Sequence, residues 1–331
     1  LMYKDQVLDY LKTMSGMKDE KESLRTVTLA EMVNVKDKEQ KNKSKNKIAV
    51  YYAYGSIDNS MSSIGTEGIN SERVMLDLRK LREDKDIKAV VLRVNSPGGS
   101  AYGSEQIWRE VSLLKEKKPV IVSMGDYAAS GGYYISCAAD WIVAEPTTLT
   151  GSIGIFGMIP DPSKLLTETL DLHFDGVKTN RLADMGAMGR PLNGEEQALF
   201  QNMVNDGYEL FTRRCADGRK MPIDEIKRIA EGRVWTGEMA KELKLVDQLG
   251  GINDAIEAAA DRAKLEDYRI VKYPNQTDFL TSILSNVNPD RYIYNKIESM
   301  FGDFGESLLF LKNIDKIDRL QARMPFDIIL E

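Results

Sequence analysis

Residues 89–94 run Ala89-Val90-Val91-Leu92-Arg93-Val94, five apolar side chains in six with no alternation of polar and apolar. A strand of that composition is buried on both faces, and such strands belong to parallel sheets with helices packed on either side. The rest of the central sequence supplies those partners. Ile48 to Tyr54 is β-rich and stops at Gly55, and Val120-Ile121-Val122-Ser123-Met124 and Trp141-Ile142-Val143-Ala144 read as further strands. Between them, Ser71 reads as the cap of a helix with Val74, Leu78 and Leu81 on one face. Ser104 to Lys115 carries the stripe Ile107, Trp108, Val111, Leu114. Helical patterns follow over Gly194–Ala216, Pro222–Ala230, Gly237–Leu243 and Ile252–Ala263. Alternating strands and helices predict an α/β domain with a largely parallel sheet covered by helices.

That domain is expected over residues 48–273. Residues 1–33 open on an amphipathic helix (Met2, Val7, Leu8, Leu11, Met14), residues 34–47 form a polar, Lys-rich linker, and residues 274–331 form a helical extension ending in a strand at Met324–Leu330. The sequence starts inside a helical pattern, as a piece of something longer would. The 331 residues carry a net charge of −6, which argues against broad nucleic-acid binding. Cys137 and Cys215 stand in no metal-ligand spacing, and His173 is the single histidine, so neither a metal nor a cofactor is expected. No run reaches the ~18 apolar residues of a membrane-spanning helix.

Two glycine-rich segments follow buried strands: Asn95-Ser96-Pro97-Gly98-Gly99-Ser100 and Ala128-Ala129-Ser130-Gly131-Gly132-Tyr133-Tyr134. Either alone reads as an ordinary turn. Together, at the carboxyl ends of successive strands where α/β sheets collect reactive groups, they favour a site. Ser130 sits between small residues at a strand-to-helix turn, the setting of an exposed nucleophile. Backbone amides of Gly131 and Gly99 are placed to share one oxygen, the arrangement of an oxyanion hole. Gly98 and Tyr133 are candidates for contact with substrate, although tyrosines at the spacing of Tyr102, Tyr133 and Tyr134 more often pack. A serine hydroxyl needs a base. His173, in the strand-like stretch Leu170–Phe174, reads more readily as a satisfied polar residue. Lys178 reads as a solvated lysine, or as a substitute base if desolvation lowers its pKa.

The runs Val94–Gly99, Gly125–Tyr134 and Thr150–Ile155, with Gly232–Gly237 and Leu245–Gly251, resemble the signal peptide peptidase A family of the ClpP/crotonase superfamily, over roughly Lys47 to Tyr273. The resemblance implies a ClpP/crotonase-like fold and a Ser-Lys serine endopeptidase that degrades cleaved signal peptides, with Ser130 as nucleophile and Gly99 and Gly131 as oxyanion donors. At the position matching the family's lysine, the run Val177–Leu182 places Arg181, which stays protonated and cannot act as a base. The family's long form has two homologous halves, one supplying lysine and the other serine. The chain is similar to the second half, with residues 1–33 the end of the first. The resemblance therefore implies a base from the N-terminal half of the same protein, a homo-oligomer (a tetramer in the long form), peptide substrates, and attachment to the bacterial inner membrane through an anchor outside this sequence. Two alternatives stay open: a crotonase-like enzyme acting on an acyl-CoA, and a catalytically inert assembly module.

Overall fold

The computed structural model describes residues 2–17, 24, 26–28, 31–32, 44–58, 68–274 and 320–323. The chain divides into two compact units, residues 1–43 and 44–331. In the first, helix α1 (Lys4–Met14) is capped by Gln6, whose side chain accepts from the Tyr3 amide at 2.9 Å. The expected linker at 34–47 and extension at 274–331 lie largely outside the described residues.

The second unit is built on strands β1 (Lys47–Tyr54), β2 (Ile57–Asp58) and β3 (Ile69–Asn70), helix α2 (Ser71–Glu83), strands β4 (Ile87–Ser96) and β5 (Gly98–Ser100), helix α3 (Ala101–Lys115) and strand β6 (Val120–Ala129). There follow a six-residue helix α4 (Gly131–Ser136) and strands β7 (Trp141–Ala144), β8 (Leu149–Gly151) and β9 (Phe156–Gly157). Helices α5 (Gly194–Arg219) and α6 (Ile223–Ile229), strand β10 (Val234–Thr236), helix α7 (Gly237–Glu242), strand β11 (Gln248–Leu249), helix α8 (Ile252–Arg262) and strands β12 (Arg269–Tyr273) and β13 (Leu320–Arg323) complete it.

The larger sheet runs β12-β1-β4-β6-β8-β10, with β7 on β6 and β11 on β7. Every pairing in it is parallel except β10 on β8. The expected fold class holds, and the run that predicted it is fully enclosed: Ala89, Val90, Val91, Leu92 and Val94 are all buried. Successive residues of β4 point to opposite faces. Ala89 and Val91 pack with Ile48, Val50, Ile121 and the alanines of α8, whereas Val90, Leu92 and Val94 pack with Leu78, Ile107, Val111 and Phe211. Removing a side chain such as Leu92 from this core would cost about 2–5 kcal/mol.

Two expectations are corrected. The cap of α2 is Asn70, whose side-chain oxygen accepts from the Arg73 amide at 2.9 Å, and Ser71 is the first residue of the helix. Leu170–Phe174 forms no strand, because nothing pairs with it and its apolar side chains stay exposed. A strand forms at Leu320–Arg323, and the expected strand at Met324–Leu330 lies outside the described residues. Among the described residues no helix is long and apolar enough to cross a membrane.

Candidate active site

Strand β6 divides at its end. Ile121–Ser123 pair with β7 and Tyr127–Ala129 pair with β8, so the last residues of β6 turn away from the first and deliver Ser130 above the sheet. This turn is pinned by hydrogen bonds. Thr150 Oγ1 donates to the Ala128 carbonyl at 2.7 Å, the Ser130 amide donates to the Gly151 carbonyl at 2.8 Å, and the Tyr134 amide donates to the Ser130 carbonyl at 2.8 Å. The backbone of Ser130 has φ 52° and ψ −114°, a conformation side-chain-bearing residues rarely adopt. Strain of this kind costs about 1–3 kcal/mol and persists only where the surroundings over-determine it.

Those surroundings extend behind the helix. The Tyr134 hydroxyl donates to Glu105 Oε2 at 2.8 Å, Arg214 donates to both oxygens of Glu105 at 2.5 and 3.3 Å, and the Arg214 guanidinium lies 3.8 Å above the Trp108 ring. Burial and the neighbouring Glu105 carboxylate both push the Tyr134 phenol far above its ordinary pKa, so it remains a donor. The Tyr134 ring meets Phe211 edge-on at 4.2 Å. Helix α4, six residues long, is thereby tied to both α3 and α5.

The Ser130 hydroxyl is fully buried and has no hydrogen-bond partner among the described residues. Leaving such a group unsatisfied costs about 1–3 kcal/mol, which makes it unusual in a finished core. Across from it, Gly98 (φ 103°) and Gly99 (φ 153°) adopt backbone conformations that favour glycine, and the Gly98 amide donates to Ser96 Oγ at 3.2 Å. The two loops are in contact: a Cβ on Gly98 would fall 2.7 Å from the Gly131 amide nitrogen, and one on Gly131 would fall 3.1 Å from Gly98 Cα. Gly131 opens α4, where an amide has no acceptor within the helix. The structure thus brings Ser130, Gly98 and Gly131 together, with Gly99 next in the chain and packed on the Ile57 backbone.

Tyr133 goes elsewhere. It is fully buried in the main core, with its hydroxyl donating to the Leu245 carbonyl at 3.0 Å, so the expected substrate contact is replaced by packing. Lys178 is not a partner of Ser130. Its ammonium pairs with Asp184 at 2.6 Å on an exposed arm that also carries Arg181, bound to Glu195 at 2.6 Å. His173 is exposed beside Asp171, 3.9 Å away.

A strand from far along the chain joins the two glycine loops. Strand β13 lies between β5 and β9, antiparallel to both, with Ala322 opposite Gly99, Arg323 opposite Gly98, and Gln321 opposite both Ser100 and Phe156. Beyond it, β5 continues through β2 to β3.

Residues 112–266 match the description Peptidase family S49. A putative protease of Synechocystis sp. is 34% identical over 206 residues, covering 62% of this chain and 74% of that protein. The chain belongs to peptidase family S49. Other S49 relatives are longer. Protease 4 of Salmonella typhi is 43% identical over 241 residues, which cover 72% of this chain and 38% of that protein. The putative signal peptide peptidase SppA of Enterococcus faecium is 37% identical over 222 residues, covering 66% of this chain and 64% of that protein. The chain therefore spans well under half the length of the Salmonella relative. Helices α4 to α8, including the helix that follows Ser130, fall inside the S49 match, whereas strand β5 precedes it.

Proposed function

We propose that the chain carries the nucleophile and oxyanion hole of a serine endopeptidase. The carrying observation is the Ser130 hydroxyl: buried, unpartnered, and held on a strained backbone against a second glycine loop. The S49 membership and the names of the relatives, Protease 4 and putative signal peptide peptidase SppA, support peptide hydrolysis and a signal-peptide substrate class.

In this mechanism an extended peptide lies along β5, where a strand already pairs antiparallel with Gly98–Ser100. Ser130 Oγ attacks the scissile carbonyl, and the amides of Gly99 and Gly131 hold the developing oxyanion. A neutral lysine takes the hydroxyl proton and returns it to the leaving amine. Water then attacks the ester and frees Ser130. With Lys178 bound to Asp184 and Arg181 unable to act as a base, we assign that lysine to the preceding half of the same polypeptide, within a homo-oligomer held at the bacterial envelope.

The test is labelling by a serine-directed fluorophosphonate, followed by mapping of the adduct, on this chain alone and on the full-length polypeptide. An adduct at Ser130 that requires the preceding half is the expected result. An adduct on the isolated chain would return the base to Lys178 or His173, and no adduct in either protein would remove the peptidase reading.

A further inference from the structure

Strand β6 does not run evenly beside β4. Val94 pairs with Met124 and Ser96 with Ala128, so a single residue of β4, Asn95, faces three of β6, Gly125, Asp126 and Tyr127. Extra residues in one strand make a bulge, and bulges beside active sites re-aim the side chains that follow them. This bulge separates the part of β6 that pairs with β7 from the part that pairs with β8 and leads into Ser130. Slipping the second part by one residue would carry Ser130 about 3.3 Å along the strand and turn its side chain toward the other face of the sheet.

The Asn95 carboxamide fills the gap that the bulge leaves. Its Oδ1 accepts from the Tyr127 amide at 3.1 Å and its Nδ2 donates to Asp126 Oδ2 at 3.2 Å, so one side chain grips the looped-out residues at two points. It lies against Gly125, where a Cβ would fall 2.9 Å from Asn95 Cγ. The Asn95 carbonyl is itself held by the Gly55 amide at 3.0 Å, beyond the end of β1. Neighbouring bonds close the bulge on its other sides. Arg93 donates to Ser123 Oγ at 2.8 Å and to the Met124 carbonyl at 2.6 Å just before it, and Thr148 Oγ1 donates to the Gly125 carbonyl at 2.7 Å within it. The side chain at 95 must accept from an amide and donate to a carboxylate at once, which a carboxamide does and an ionised carboxylate cannot.

We propose that Asn95 is a positioning residue for Ser130: by bridging Asp126 and Tyr127 it fixes the bulge in β6, and with it the place of the serine hydroxyl against the contact between Gly98 and Gly131. This rests on the peptidase reading above. The effect of Asn95 reaches Ser130 through Ala128 and Ala129, which are paired with Thr150 and Gly151 of β8. Asn95 therefore governs how well the hydroxyl is placed for attack, which is a kcat term, and leaves the affinity for peptide to other residues.

The experiment compares Asn95→Asp, Asp126→Asn and the two combined, each in the full-length polypeptide. Asn95→Asp sets two carboxylates against each other. Adding Asp126→Asn restores one donor and one acceptor with the direction of the bond reversed, and leaves the Tyr127 amide its acceptor. Asn95→Asp is expected to slow fluorophosphonate labelling of Ser130 and to lower kcat for a fluorogenic peptide about 10²-fold, with KM within about threefold of the parent. The combined protein should recover both rates to within about threefold, which independent substitutions would not do. Where Asn95→Asp fails to fold, Asn95→Ser, smaller and uncharged, takes its place and should lower kcat about tenfold at unchanged KM. Undiminished labelling and kcat in the Asn95 variant, a loss confined to KM, or an equal loss with and without Asp126→Asn overturns the inference and leaves the peptidase reading standing. Absence of any Ser130 adduct in the parent overturns both.

Discussion

Around Ser130 the backbone is held from several directions by Gly151, Ala128, Tyr134 and the Gly98 loop, and every residue from Ala128 to Ile135 is buried. The arm between β9 and α5 is built the other way. Leu165, Leu170, Leu172, Phe174 and Met188 are exposed, Val177 is 99% exposed, and its order comes from ion pairs: Lys178 and Arg190 on Asp184, Arg190 on Glu196, Arg181 on Glu195. A rigid, apolar setting can hold a strained nucleophile and fixed amides. A solvated arm whose lysine is engaged by Asp184 does not bring that lysine to Ser130. The contrast supports the proposal that the chain supplies the serine of a Ser-Lys pair and receives the lysine from the preceding half.

The sharpest way to break this comparison is at the nucleophile. Ser130→Ala in the full-length polypeptide is expected to lower kcat for a fluorogenic peptide by roughly 10⁴-fold or more with an unchanged melting temperature. Retained activity would move the chemistry away from the buried loops. Next is Gly131→Ala, whose Cβ would meet Ser104 Oγ at 2.6 Å and the Ala322 carbonyl oxygen at 2.9 Å. Displacing that amide should cost about 10²–10³-fold in kcat, with a much smaller change in KM.

Packing offers a second contrast. A Cβ on Gly218 of α5 would fall 2.1 Å from the Cys137 carbonyl oxygen at the end of α4, whereas one on Gly176 in the arm meets nothing within 4 Å. Gly218→Ala should therefore destabilise by about 1–3 kcal/mol, and Gly176→Ala should be neutral or stabilise by up to about 1 kcal/mol, both read from denaturant midpoints. Equal effects would show that the wall behind the nucleophile helix is no tighter than the arm.

What was legible in the sequence follows the same division. The β4 strand could be read because all its apolar residues are buried, leaving no solvent-facing alternation to confuse it. The Ser130 turn could be read because only small residues fit where two loops touch. Leu170, Leu172 and Phe174 alternate as a strand would, yet alternation reports one apolar face and says nothing about what covers it. Asn70 displaced Ser71 as a cap because both residue types serve equally, and only backbone geometry chooses between them. The partners of strand β13 were not legible for another reason: its pairing is decided by the slot between β5 and β9, which Leu-Gln-Ala-Arg does not encode by itself.

Smaller effects test the arm directly. Lys178→Met should change peptide hydrolysis by less than about threefold, because the lysine's partner is Asp184, and mutation of an exposed ion pair is worth about 0–1 kcal/mol. A loss beyond a hundredfold would make the arm the source of the base.

The arm's ion pairs also set a pH window. Hydrogen bonds from Arg190 and Lys178 hold the Asp184 carboxyl at about 2, and hydrogen bonds from Arg190 and the Asn193 amide hold Glu196 at about 2. Both values lie below those of the unfolded chain, near 4. The stabilisation is therefore complete above pH ~4 and is lost as pH falls through about 2. The segments Ser96–Ser100 and Ala128–Tyr134 contain no carboxylate of their own, and the Glu105 carboxylate that anchors Tyr134 sits behind them on α3. Hydrogen exchange between pH 5 and pH 2, corrected for intrinsic rates, should show amides 178–193 opening at the acid end before those of 128–134. Arg190→Gln removes the shared donor, lets both carboxyls titrate closer to pH 4, and should move opening of the arm upward in pH while leaving the Ser130 loops in place. If the two regions instead open together in both proteins, the arm is coupled to the site, and its charges would have to be counted within the catalytic machinery.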